Sequence, residues 1–183
     1  MEREQQAMKS IIRVVAAAAI LFSVLGFGPT RPDVPDALKA PAGEDVVLSG
    51  HATGVQIYFC QANTERMPAW VLKAPEADLS DAAGKVIIHH SAGPAWKDVD
   101  GSEVTGKLVA KQDAPKPGAI PWLLLSAATH TGVGALSRVT TIQRIHTEGG
   151  MPPQVTDCNP AKNGVESRSP YSADYYFYAP IQK

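Results

Sequence analysis

The sequence predicts an all-β protein, a single antiparallel β-sandwich or barrel-like domain following an N-terminal signal or anchor segment. Three observations predict it. Fifteen glycines and fifteen prolines in 183 residues punctuate the chain too densely for long helices. Between them stand about eight short runs rich in β-branched and aromatic residues, several alternating with period two, as in sandwiches and barrels. Beyond the leader, no stretch carries a convincing apolar stripe at helical spacing.

Residues 1–28 read as a signal peptide or membrane anchor. Arg3, Lys9 and Arg13 precede an uncharged apolar run from Val14 to Phe27, too short for a bilayer span of roughly 20 residues but suited to the apolar core of an export signal. Gly26-Phe27-Gly28 is only an approximate cleavage signal. The protein is therefore expected to be exported, periplasmic or extracellular, and to touch a membrane only through this segment if it stays uncleaved. Residues 29–43 follow as a Pro-rich linker, with Pro29, Pro32, Pro35 and Pro41 among charges. Such a composition predicts a tether or extended arm outside the core.

Residues 44–183 form the predicted β domain. Val46-Val47-Leu48 leads through Gly50 and Gly54 into Val55–Cys60, where Val55, Ile57 and Phe59 alternate with Gln56, Tyr58 and Cys60. Period two assigns the first set to the core face. Trp70-Val71-Leu72 is a strand bracketed by Pro68 and Pro75, and Pro75–Asp81 a short strand or turn. Gly84–Gly106 predicts a hairpin-like unit around which the chain is organised. Val86-Ile87-Ile88 carries His89 and His90, and a turn at Asp98–Ser102 leads to a return strand, Val104–Ala110, with polar chemistry bunched at one end. After a loop at Lys111–Gly118, Ile120–Leu125 suits a central buried strand with Pro121 near its start. Val139–Thr147 alternates with neither face cleanly apolar, and Arg144 beside Gln143 suggests a polar interior network or a lined pocket. The aromatic run Tyr171–Tyr178 closes the sheet.

A net charge of −1 provides no basic field for nucleic acid. Two cysteines in an exported chain, Cys60 and Cys158, predict a structural disulfide, and without a C-x-x-C spacing a redox pair is disfavoured. Asp98-x-Asp100-Gly101 does not keep the glycine and glutamate positions of an EF-hand calcium loop. Gly101–Lys107 matches G-x-x-x-x-G-K, but Leu108 replaces the magnesium-binding hydroxyl and the stretch reads as a strand, which excludes a nucleotide loop. Neither G-x-S-x-G nor H-E-x-x-H occurs.

GVQIYFC at Gly54–Cys60, APEADLSDAAGK at Ala74–Lys85, HSAGPAW at His90–Trp96, DGSEVTG at Asp100–Gly106, IPWLLL at Ile120–Leu125, IQRIHTEGGMPP at Ile142–Pro153, Cys158 and YSADYYFY at Tyr171–Tyr178 resemble, in the same order, the bacterial and fungal domain-of-unknown-function family thirty-four fifty-five of exported proteins. The resemblance implies an exported single domain with no assigned activity. It makes Cys60, His90, Trp96, Asp100 and Arg144 positions of the family pattern. Two departures stand out: Ser91 where an aromatic is expected, and His146 where Asn is expected. An aromatic walling a site at position 91 would leave this member's pocket more open.

Five histidines, His51, His89, His90, His130 and His146, are available for acid–base or metal chemistry. His89 and His90 point to opposite faces of one strand, so at most one joins a given site. His90, just before the Gly93-Pro94 turn, is the better candidate. The aromatics offer stacking faces, and Trp96 beside polar turn residues is the one expected at a surface. The leading expectation is a non-enzymatic module binding a small polar or glycan-like ligand near His90, Trp96, Asp100 and Arg144, with no metal and no cofactor. The alternatives are a hydrolytic or metal-dependent enzyme centred on His90 with Asp100 or Asp98, and a structural surface protein without a small-molecule site.

Overall fold

Period-two runs become strands that must satisfy their edges, and here the sheet does so by closing on itself. A computed structural model describes residues 29–62 and 67–182. The predicted signal segment lies outside the described residues. The strands are β1 (Glu44–Gln61), β2 (Ala69–Ser80), β3 (Val86–Ser91), β4 (Ala95–Asp98), β5 (Glu103–Gln112), β6 (Trp122–Thr131), β7 (Thr141–Gly149) and β8 (Glu166–Pro180). Each pairs antiparallel with the next, and β8 returns to β1 to close a barrel. The all-β antiparallel expectation is borne out, in its barrel form.

The segmentation differs from the sequence reading in three places. Gly50 and Gly54 do not turn the chain; they lie inside one 18-residue strand. Gly54 is needed there because a Cβ would stand 2.5 Å from Ala77 on the neighbouring strand. The runs either side of Pro75 likewise belong to one strand, β2, which accommodates the proline beside a register shift opposite Ile57 and Tyr58, where a missing N–H is tolerated. The expected hairpin at Gly84–Gly106 is a three-stranded meander. Gly93-Pro94 turns β3 into β4, and the Asp98–Ser102 turn then starts β5.

Inward side chains form one core: Ala52 of β1, Leu79 of β2, Ile88 of β3, Trp96 of β4, Val104 of β5, Leu125 of β6, Ile142 of β7 and Phe177 of β8. Trp96 is 1% exposed, which corrects its expected surface position. Room for the indole comes from Gly106, where a Cβ would lie 2.9 Å from Trp96 Cζ3. Leu136 and Val139, from the β6–β7 connection, plug one end of the barrel.

That plug is held by the Asp98–Ser102 turn. Asp100 Oδ1 accepts hydrogen bonds from the Ser102 amide at 2.8 Å and hydroxyl at 2.6 Å, and Oδ2 accepts the Ala135 amide at 2.7 Å. Ser102 Oγ in turn accepts the Leu136 amide at 3.1 Å. Gly134 packs so closely on the carboxylate that a Cβ would approach it to 2.2 Å.

The segment read as a tether contributes to packing. Leu38 is fully buried and, with Val34, covers the outward residues Leu124 and Ile145, while Ala40 packs on Val46 and Tyr178. Under this arm Gln143 Nε2 donates to Leu38 O at 2.7 Å and Tyr178 Oη donates to Gln143 Oε1 at 2.9 Å. The mixed pattern of β7 is thereby explained: one face lies under the arm and the other lines the lumen. Cys60 and Cys158 are bonded, with Cα atoms 5.3 Å apart. The crosslink closes a 98-residue separation, a span for which chain entropy alone gives about 4–5 kcal/mol.

Candidate functional site

At the barrel end opposite the Leu136 plug, the inward side chains do not fill the lumen. A cavity of about 440 Å³ opens between the Gly93-Pro94 turn and Pro121, lined by Gln56 and Tyr58 of β1, Pro75 of β2, His90 of β3, Trp96 of β4, Leu123 of β6, Arg144 of β7 and Tyr175 of β8. On β1 the inner and outer faces are the reverse of the sequence expectation. Gln56, 2% exposed, and Tyr58 point into the cavity, whereas Val55 and Phe59, on the other face with the buried Ile57, are half-buried. The lumen at this end accepts polar groups because they face a cavity, so apolar character does not mark the inner face.

Three of the four expected site residues meet here. His90 and Trp96 are direct cross-strand partners, and their rings stack at 4.5 Å with planes 6° apart. Tyr175 meets both edge-on, at 5.4 and 5.8 Å. Arg144 sits opposite Tyr175 in the β7–β8 register and lines the same cavity. Asp100 does not join them. Successive turns of a meander alternate between barrel ends, so the turn after β4 lies a strand's length from the one before it, and Asp100 is spent on the plug. Its carboxyl titrates below the ordinary range because Ser102 and the Ala135 amide bond its charged form.

His90 is neutral. Its Nδ1 donates to Ala95 O at 2.8 Å, leaving Nε2 as the lone-pair nitrogen. Burial pushes its pKa down to about 4; the bond to Ala95 opposes that shift and the positive charge of Arg144 adds to it. Burial also raises the Tyr58 phenol, which donates to Gly150 O at 2.7 Å. Tyr171, inward on β8 beside Gln56 and Tyr175, is raised mainly by burial.

The polar groups around the cavity are under-satisfied. Among the described residues seven buried side-chain polar atoms have no hydrogen-bond partner, and four belong to residues lining this cavity: Gln56 Nε2, Trp96 Nε1, Arg144 Nε and the Tyr175 hydroxyl. Arg144 Nη2 donates to Pro121 O at 2.8 Å, and among the described residues the guanidinium has no acidic partner. Among the described residues no aspartate or glutamate lines the cavity. Lys73 at the rim is paired with Glu166. Composition alone could not reveal this cluster, because Gln56 and Tyr175 sit in ordinary strand patterns.

The family model for Protein of unknown function (DUF3455) matches residues 41–179, from the end of the arm through β8. The chain is a DUF3455 protein. Neither a curated protein nor a solved structure matches it. Ser91 and His146, the two positions expected to depart from the family pattern, have different meanings in the barrel. Ser91 is exposed and borders a separate surface depression with His89 and Arg168, so an aromatic there would not wall the cavity, contrary to expectation. His146 has φ = 49°, a left-handed conformation in which Asn is at home. It caps a carboxylate: His51 Nδ1 and His146 Nδ1 lie 2.7 and 2.8 Å from the two oxygens of Asp174, joining β1, β8 and β7 on the outer surface. His89 pairs with Asp78, and His130 Nε2 bonds Val139 O. Among the described residues no three His, Cys, Asp or Glu side chains form a metal-holding group.

Proposed function

We propose that this DUF3455 protein is an exported, non-enzymatic binding module whose ligand enters the barrel mouth over Pro121 and contacts His90, Trp96, Arg144, Gln56 and Tyr175. One observation carries the reading. Four buried polar atoms without partners, Gln56 Nε2, Trp96 Nε1, Arg144 Nε and the Tyr175 hydroxyl, belong to residues lining one cavity, and each such atom costs about 1–3 kcal/mol when left unpaired. A chain selected only for stability would replace them with apolar groups of similar shape; retention at one place supports a ligand that satisfies them. Export is supported by the Cys60–Cys158 bond together with the charged, apolar leader.

The catalytic alternative has little to work with at this cavity. His90 keeps Nδ1 on a backbone carbonyl, and Asp98 and Asp100, its acidic partners in that reading, belong to the turn at the other end of β4. Among the described residues the lining carries donors and no carboxylate, which favours, over a glycan whose hydroxyl groups need strong acceptors, a compact molecule with an apolar body and acceptor oxygens.

Gln56→Leu tests the proposal. Removing the unpartnered Gln56 Nε2 raises stability to urea by about 1–2 kcal/mol while weakening every ligand found by a thermal-shift screen of the wild type. A screen of small acids, amides and sugars that stabilises neither protein, with Gln56→Leu less stable than the wild type, would return the cavity to a purely structural role.

A further inference from the structure

We propose that the cavity selects a monoanionic carboxylate on an apolar, preferably aromatic, body, an inference that rests on the binding function proposed above. The argument starts from charge. Arg144 brings a permanent positive charge into a largely apolar barrel mouth, and its Nε–H has no acceptor. Its Nη2 spends a hydrogen on Pro121 O, and the remaining guanidinium hydrogens are free of any acidic side chain among the described residues. A half-buried cation without a counter-charge is costly, and a planar guanidinium is shaped for the two oxygens of a carboxylate.

The neighbours repeat the same demand. Gln56 Nε2 and Trp96 Nε1 are N–H donors without acceptors, and the Tyr175 hydroxyl can donate as well. His90 stays neutral and adds no second positive charge. Lys73 is already neutralised by Glu166. Among the described residues, one uncompensated positive charge with several neutral donors matches one negative charge, which favours a carboxylate over a doubly charged phosphate. The rest of the wall, Leu123, Leu125, Ile120, Pro75 and Pro94, suits an apolar body.

The experiment uses isothermal titration of the oxidised full-length barrel with matched pairs: benzoate, 2-naphthoate and octanoate against benzamide, 2-naphthamide and octanamide, with inorganic phosphate as a further probe. At least one carboxylate binds about tenfold or more tightly than its amide, as expected for a charge-assisted bond, and phosphate binds more weakly than that carboxylate. Arg144→Gln abolishes the preference, bringing acid and amide to equal affinity, while circular dichroism confirms an intact barrel. Equal affinity for acids and amides in the wild type would overturn the carboxylate assignment and leave the binding function standing. Failure of acids and amides alike would overturn both, and preference for phosphate would replace the carboxylate with a different anion.

Discussion

His90 makes the stability of the barrel depend on pH in a way that can be isolated. Its pKa falls from the ordinary 6.5 to about 4, chiefly through burial. Above pH 6.5 the imidazole is neutral in both the folded and unfolded chains and contributes no pH dependence. Between 6.5 and 4 the unfolded chain binds a proton that the folded chain refuses, so stability falls as pH falls, with a slope approaching 1.36 kcal/mol per pH unit. Below about 4 both states are protonated and the loss levels off at about 3 kcal/mol, the shift multiplied by that slope. Urea unfolding of the oxidised protein from pH 8 to 3.5 measures this in wild type and His90→Gln. The variant starts less stable because Ala95 O loses its donor, so the comparison is between slopes; titration of all other groups cancels in the difference. The wild type should lose about 3 kcal/mol more than the variant across the window. Parallel curves, or a native His90 imidazole titrating near 6.5 by NMR, would refute the claim that the stacked ring is held neutral.

Gly106→Ala overpacks the Trp96 indole and Leu125, whose Cδ2 would lie 3.2 Å from the new methyl; a loss of about 1–3 kcal/mol and a shifted Trp emission are expected, and unchanged unfolding would show that the indole has room to move. Asp100→Asn weakens the plug, so amide exchange of Ala135 and Leu136 quickens while ligand affinity at the opposite mouth stays constant. Because the Asp100 pKa is depressed, its contribution is present above the unfolded pKa and lost as pH falls through the folded value; a variant with wild-type acid sensitivity would contradict that. His146→Asn keeps the left-handed backbone favourable and stays near wild-type stability, whereas His146→Val costs about 1–3 kcal/mol, and equal tolerance of the two in urea would remove the backbone argument.

Much of the fold is legible in the chain. Alternation in Val55–Cys60 and the aromatic run Tyr171–Tyr178 identify strands because a pleated backbone throws successive side chains to opposite faces. The chain's two cysteines identify the crosslink. His90, Trp96 and Arg144 are recognisable as a group through the resemblance to DUF3455, and the structure brings all three to one cavity. Asp100 is drawn into the same group by its nearness in sequence, which is misleading in a meander, where the turns before and after a short strand occupy opposite ends.

What the sequence by itself determined is the existence of the strands, the antiparallel β class, the cysteine pair and the family. Those properties depend on local backbone preference, side-chain alternation and residue identity. Only the tertiary structure decided that the sheet closes into a barrel, that Gln56 and Tyr58 face inward while Ile57 faces out, and that Leu38 of the arm is buried against β6 and β7. Period two defines two faces without naming the inner one; curvature and closure choose it, and where the lumen keeps a cavity β1 turns Gln56 and Tyr58 inward while the rest of the barrel interior stays apolar.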